Sequence, residues 1–296
     1  MSNPVKQTIK KAIEKVATLV MATVNQGAKS SPQVKINQRM LFNFYQYAIS
    51  QGHRFNLADT GFRNYSQFEE DGILLYIFAA IGAEHKTFID VGSADGINSN
   101  CANFAVNFGW RGLFLDGNPS NIEKGKKYYE KNPDTYAYPP TFAHAFIQRE
   151  NINELIRDNG FAGGGGVDLM SIDLDGNDYW IWDALTVVEP RVVIIETHIE
   201  FGMNSIVVPY DKDYVHPGKH PEYFSASPVA MEKLARKKGY RLVGANDYGF
   251  NTIYVKNGIG EDILPEVTVE SILKHPRNQE RQKLFEPIKD WDYIHV

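Results

Sequence analysis

Residues Thr87-Phe-Ile-Asp-Val-Gly-Ser-Ala-Asp-Gly96 decide how the rest of the chain is read. Thr87 to Val91 is an apolar run of strand length, and two glycines, Gly92 and Gly96, follow at once. Glycine lets the chain turn tightly and brings its backbone close to a neighbour, because no Cβ stands in the way. Helical periodicity flanks the run on both sides. Upstream, Ile73, Leu74, Ile77, Phe78 and Ile81 recur at helical spacing and stop at Gly82, with Ser66 and Glu69 spaced as a capping box. Downstream, the pattern predicts a helix over about residues 99–108, with Gly109 behind it. Helix, strand, glycine loop and helix in this order belong to a βαβ architecture.

The alternation continues outward. Strands are expected at residues 113–116, 141–147, 167–173 and 191–197. Between them lie helices starting at Asn118-Pro119 and covering residues 151–158 and 179–185. Ser227-Pro228 caps a helix to Lys238 stopped by Gly239, and residues 240–244 and 252–256 read as a terminal hairpin. The fold class is therefore α/β: a Rossmann-like, doubly wound sheet with ligands at the carboxyl ends of its strands. Residues 200–227 break the pattern and are longer than an ordinary connection. They carry Tyr210, Tyr214, His216, His220, Tyr223 and Phe224, the make-up of a substrate wall.

Composition narrows the class. The 296 residues are 43% apolar and 23% charged, which is globular. Lys plus Arg is 31 and Asp plus Glu is 36, so the net charge of −5 leaves no basic footprint for nucleic acid. One cysteine, Cys101, fits a reducing, cytoplasmic setting. No apolar run reaches the roughly 20 residues a membrane span needs. Val5, Ile9, Ile13, Val16 and Val20 repeat at helical spacing beside Lys6, Lys10, Lys11 and Lys15, and read as a helix packed on the domain or a second subunit. Glu14 in its middle argues against a signal peptide. The domain reading is a helical extension at 1–60, a catalytic domain at 61–258 and a tail at 259–296. The aromatic patch at 42–47 reads equally as a contact in a homo-oligomer and as core packing.

The chemistry sits just after the strands. Asp116 stands 20 residues past Gly96, where a carboxylate commonly accepts hydrogen bonds from a ribose diol. A dinucleotide loop needs a middle glycine, and Ala94 stands there instead. Asp90 and Asp95 would repel a pyrophosphate, whereas they suit a cationic adenosine ligand such as S-adenosylmethionine. Read blandly, the two glycines only make a turn. The densest acid run is Asp173-Leu-Asp-Gly-Asn-Asp178, with Glu196 and His198 ending the neighbouring strand. Three readings compete for it. Asp173, Glu196 or His198 serves as a general base. Alternatively Asp173, Asp175 and Glu196 hold Mg²⁺. Finally, Asp175 and Asn177 form a turn, Asp178 caps the next helix and His198 is simply packed.

In sequence order, Ser66-Gln67-Phe-Glu-Glu70-Asp71, Ile89-Asp-Val-Gly-Ser-Ala-Asp-Gly96, Leu115-Asp-Gly-Asn-Pro119, Ser171-Ile-Asp-Leu-Asp-Gly-Asn-Asp178 and Ile194-Ile-Glu196 resemble class I S-adenosylmethionine-dependent methyltransferases. The resemblance is to the FkbM-like methyltransferases, over roughly residues 64–256. It implies a seven-stranded, mostly parallel sheet with an antiparallel last strand. It implies S-adenosylmethionine lined by Asp90, Gly92 and Gly96 at its methionine end and by Asp116 at its ribose. Gln67, Ser93 and Asn118 complete the set, with Glu150, among Gln148, Glu150 and Asn151, for the adenine. Many members carry Glu-Pro after the second strand, where this chain has Asp116-Gly-Asn118-Pro119. The implied activity is O-methylation of a sugar or natural-product hydroxyl on a small-molecule or glycan acceptor. The rivals are N-methylation on the same fold, an NAD-dependent oxidoreductase, and a cofactor-binding module without catalysis.

Overall fold

The computed structural model describes residues 27–163 and 166–296, together with Gln7 and Lys11. The amphipathic repeat from Val5 to Val20 and residues 164 and 165 of the Gly163–Gly166 run therefore lie outside the described residues. The chain divides into two units, Met1–Phe44 and Tyr45–Val296. Helix α1 (Pro32–Ser50) begins in the first unit and ends in the second. No helix among the described residues is long and apolar enough to cross a membrane.

The sheet grows from the apolar run read first. β1 (Thr87–Val91) is buried along its whole length, as a strand covered on both faces must be. It pairs in parallel with β2 (Arg111–Asp116) on one side and β4 (Leu169–Ile172) on the other. β3 (Thr141–His144) adds beyond β2, and β5 (Val192–Glu196) beyond β4, both parallel. β7 (Tyr240–Ala245) and β8 (Asn251–Lys256) form the expected hairpin. β8 inserts between β5 and β7, giving the order β3-β2-β1-β4-β5-β8-β7 in one seven-stranded sheet, with β8 antiparallel to both neighbours. The expected fold class is the observed one.

Helices cover both faces. α2 (Glu70–Ile81) is apolar nearly all round and correspondingly buried. It is followed by α3 (Ala102–Phe108), α4 (Pro119–Lys131), α5 (Ile152–Asp158), α6 (Asp178–Ala184) and α7 (Pro228–Lys237). Ser227 caps α7 through its hydroxyl, which accepts the Ala230 N–H at 3.0 Å. Several stops fall where glycine predicts them, at Gly82 and Gly109 with positive φ. β4 and β5 carry Met170, Ile172, Val193 and Ile195 into one apolar core with Ile181, Trp182 and Leu234.

The segment without periodicity holds a short strand, β6 (Ile206–Val207). The chain's end supplies α8 (Val269–Ile272), α9 (Pro276–Arg281) and β9 (Ile294–His295). β9 pairs antiparallel with β6, and Ile288 and Phe201 share a small core with Ile206. Nothing in the periodicity of either segment announces this pairing, because two-residue strands are too short to carry a pattern.

Candidate active site at the strand ends

The loop after β1 is held in shape by its backbone. Gly92 and Ser93 both donate their N–H to the Leu115 carbonyl, at 2.9 and 3.0 Å. Gly92 has φ +83°, and a Cβ on it would fall 1.8 Å from the Asp173 carbonyl oxygen. The β1 loop and the end of β4 therefore touch backbone to backbone, which only glycine permits. Asp116 accepts the Ala94 N–H at 2.9 Å and the Asn118 N–H at 2.8 Å, so its carboxylate ties the β1 loop to the end of β2. Asn118 caps α4 by accepting the Ser120 N–H at 2.9 Å.

The two acids of this loop differ. Asp95 is neutralised by Lys124 and also accepts the Ile97 N–H at 2.9 Å. It therefore gives no net repulsion toward an anion, which corrects the weight it carries as a sequence signal. Asp90 is buried and takes the Ser99 hydroxyl, with no basic partner. Burial, which outweighs that hydrogen bond, raises its pKa to about 7. Ser93 is buried beside it with its hydroxyl oxygen unpartnered.

The Ser66–Asp71 motif is not a capping box. α2 starts at Glu70 and Glu69 makes no side-chain cap; Ser66 Oγ donates to the Asp71 carboxylate at 2.9 Å and accepts the Asp71 N–H at 3.2 Å. One Asp71 oxygen accepts the N–H groups of Asn64, Tyr65 and Ser66 at 2.7, 2.5 and 2.8 Å. Glu70 takes the amides of Asn246 and Asn251 at 3.1 and 2.9 Å, and the Phe68 N–H at 2.9 Å. These buried acids fix the loop that presents Gln67, itself exposed, to the cavity at the strand ends.

That cavity, about 640 Å³, opens at the ends of β4 and β5. Asp173, Asp175 and Glu196 each offer an oxygen within 4.8 Å of the others. Glu196 Oε2 is buried without a hydrogen-bond partner. Burial first, and then the neighbouring acids Asp178 and Asp175, hold Asp173 far above the usual carboxylate range. Glu196 is raised likewise, by burial and then by Asp173. Asp178 belongs to the turn: its carboxylate accepts the N–H groups of Leu174 and Gly176 at 2.7 and 3.1 Å. The neighbouring Asn177 amide donates to the Asp211 carbonyl at 2.8 Å. Tyr214, from the 200–227 segment, closes over Gly176 with its hydroxyl unpartnered.

His198 lines the same cavity but joins a different group. Its Nδ1 lies 3.3 Å from Glu200 and its Nε2 3.5 Å from Glu222, between the rings of Phe201 and Phe224. Burial lowers its pKa to about 4, so the ring is neutral at physiological pH. Arg281 pairs with Glu200 and lies 3.8 Å from Glu222. The four groups Asp173, Asp175, Glu196 and His198 thus share one cavity as two clusters, not one. No sequence pattern marks Glu200, Glu222 and Arg281, because the first two stand far apart within the 200–227 segment and the third ends α9, with no shared spacing.

On the β3 side, Glu150 accepts the Tyr210 hydroxyl at 2.5 Å, and Gln148 donates to the Lys212 carbonyl at 2.9 Å. Asn151 is spent on the Gln148 N–H and the Phe146 carbonyl. The 208–214 stretch therefore straps down over the edge where an adenine is expected.

One local observation fits S-adenosylmethionine: the Ser93 hydroxyl, buried in the β1 loop, has no hydrogen-bond partner. No protein-family profile matches the chain, and no curated protein does. Among solved structures it is similar to an O-methyltransferase family protein from Burkholderia thailandensis, at 13% identity over 64% of this chain, with a TM-score of 0.37. The chain spans 59% of that protein's length. It is also similar to an S-adenosylmethionine-dependent methyltransferase from Clostridium acetobutylicum, at 10% identity over 74% of this chain and 99% of the other, with a TM-score of 0.41.

Proposed function

We propose that this chain is an S-adenosylmethionine-dependent O-methyltransferase acting on a sugar or natural-product hydroxyl. The observation that carries the reading is electrostatic. Asp90, Asp173 and Glu196 end three adjacent strands, and the charges that act on their protonation are those of other acids. Such a field favours a ligand carrying a sulfonium and an ammonium and disfavours a pyrophosphate. The antiparallel β8 inside the sheet supports the same choice, since the dinucleotide-binding order continues parallel.

When bound, S-adenosylmethionine supplies a methyl group on a positively charged sulfur. Gly92, Ser93 and Gly96 offer backbone and hydroxyl groups to it, Asp90 faces its cationic end, and Asp116 and Asn118 flank the ribose side. Gln67 borders the acceptor cavity, and Glu150 stands on the adenine side. Burial raises the proton affinity of Asp173 and Glu196 and lowers that of His198, so the base for the acceptor hydroxyl is whichever carboxylate of the pair does not keep the proton. Asp173, Asp175 and Glu196 also form an oxygen donor set suited to Mg²⁺. The group's repulsion is relieved by such an ion or by a retained proton.

Calorimetry with S-adenosylmethionine and with NAD tests the reading. The first should bind and the second should not; binding of NAD alone would sink it. Asp116→Ala should weaken cofactor binding by roughly 1.5–3 kcal/mol, the scale of a hydrogen bond to a charged group. In a methyl-transfer assay, loss of activity in chelator that Mg²⁺ restores assigns an ion to the triad. Full activity in chelator with an inactive Asp173→Asn enzyme assigns a metal-free base.

A further inference from the structure

We propose that His198, Glu200 and Glu222 form a site for a divalent transition-metal ion, separate from the Asp173 cluster. One atom from each of the three lies within 4.8 Å of the others. His198 is 4% exposed, and its Nε2 has no hydrogen-bond partner although it borders the cavity. Carboxylate oxygens face both ring nitrogens, at 3.3 Å from Nδ1 and 3.5 Å from Nε2. Nε2 thus faces a Glu222 oxygen at 3.5 Å without a hydrogen bond, a gap that a cation between them would fill.

The spacing suits such a cation. Two atoms each about 2.1 Å from a tetrahedral ion stand about 3.4 Å apart. One imidazole with two carboxylates selects Zn²⁺ or Mn²⁺ over Mg²⁺, which prefers an all-oxygen shell. Glu200 also holds Arg281, so the cluster's charge without an ion is −2 + 1 = −1, and a divalent ion brings it to +1. Glu222 comes from the 200–227 segment and His198 from the end of β5. An ion there fastens that segment to the sheet and leaves its open position toward the cavity, where an oxygen of the acceptor can bind.

The test is metal binding by the full chain and does not require methyl transfer. Protein stripped with chelator is titrated with Zn²⁺ and with Mn²⁺ by calorimetry, with metal content measured after dialysis. We expect one ion per chain and a higher melting temperature with metal than without. Glu222→Gln, on a partly exposed residue, should weaken binding about 100-fold while the protein still melts cooperatively, and His198→Ala should abolish it. Glu196→Gln should leave binding intact. Absence of binding by the wild type overturns the proposal. So does binding that Glu196→Gln removes and Glu222→Gln keeps, because the ion then sits on the acidic triad. Cofactor calorimetry on the same samples reads the methyltransferase proposal independently.

Discussion

Asp71 shows how much one buried residue can organise. Three backbone N–H groups and a hydroxyl converge on a single oxygen of its carboxylate. Burial nonetheless raises its pKa to about 6, so desolvation outweighs these bonds. Asp71→Ala leaves the three backbone donors without that acceptor in a dry environment, while the Ser66 hydroxyl can turn to the Phe68 carbonyl. At about 1–3 kcal/mol for each orphaned buried group, with partial relaxation, the expected loss is about 3–5 kcal/mol. Urea unfolding measures it. Asp71→Asn keeps one acceptor oxygen and should cost less; equal stability of Asp71→Ala and wild type would refute the clamp. Asp168 plays the same part at the opposite end of the sheet. It accepts the Glu84, His85 and Lys86 N–H groups and pairs with Arg191 at 3.2 Å.

Among the elements, the β1 loop couples fold to function most directly. Gly92 satisfies two demands at once, a positive φ and contact with the Asp173 carbonyl. Gly92→Ala therefore forces the β1 loop away from the end of β4. The expected cost is about 2–4 kcal/mol in stability, from backbone strain and displacement together. Gly160→Ala is the control: its φ of +79° is also positive, but no atom lies within 4 Å of a Cβ there. It should pay only the conformational term, about 1 kcal/mol. If the two variants melt alike and bind cofactor alike, the packing at Gly92 is irrelevant.

For the whole molecule, the buried acids set a pH dependence. Asp90 titrates near 3.9 in an unfolded chain and at about 7 when folded. The folded state holds its proton more tightly. Its stabilising contribution is therefore complete below about pH 4 and is lost as pH rises through 7. Asp71, raised to about 6, acts in the same direction, and His198, lowered to about 4, opposes both up to about pH 6.5 without cancelling them. Stability should fall by roughly 2–3 kcal/mol between pH 5 and pH 8, and by less in Asp90→Asn. Unfolding curves across that range decide it. A cation bound near Asp90 opposes the trend, so added S-adenosylmethionine should flatten it, whereas a profile that rises with pH contradicts the reading.

Local pattern in the sequence suffices for the α/β alternation, the position of the glycine loop and the acids at the strand ends. Each of these is local: strand and helix periods, glycine stops and the Asn118 and Ser227 caps are written within a few residues. Burial and partners came only with the tertiary structure. Ser66 and Glu69 match a cap by spacing, yet Ser66 turns to Asp71 because the chain folds back before α2 starts. Asp95 reads as a repelling acid until α4 brings Lys124 to it. His198 reads as a base beside Glu196, but burial between two aromatic rings leaves it neutral and turned toward Glu200 and Glu222. Glu222, Arg281 and the β6–β9 pairing join segments far apart in the chain. Long-range pairing depends on which surfaces meet once the sheet is formed, and local patterns carry no record of that meeting.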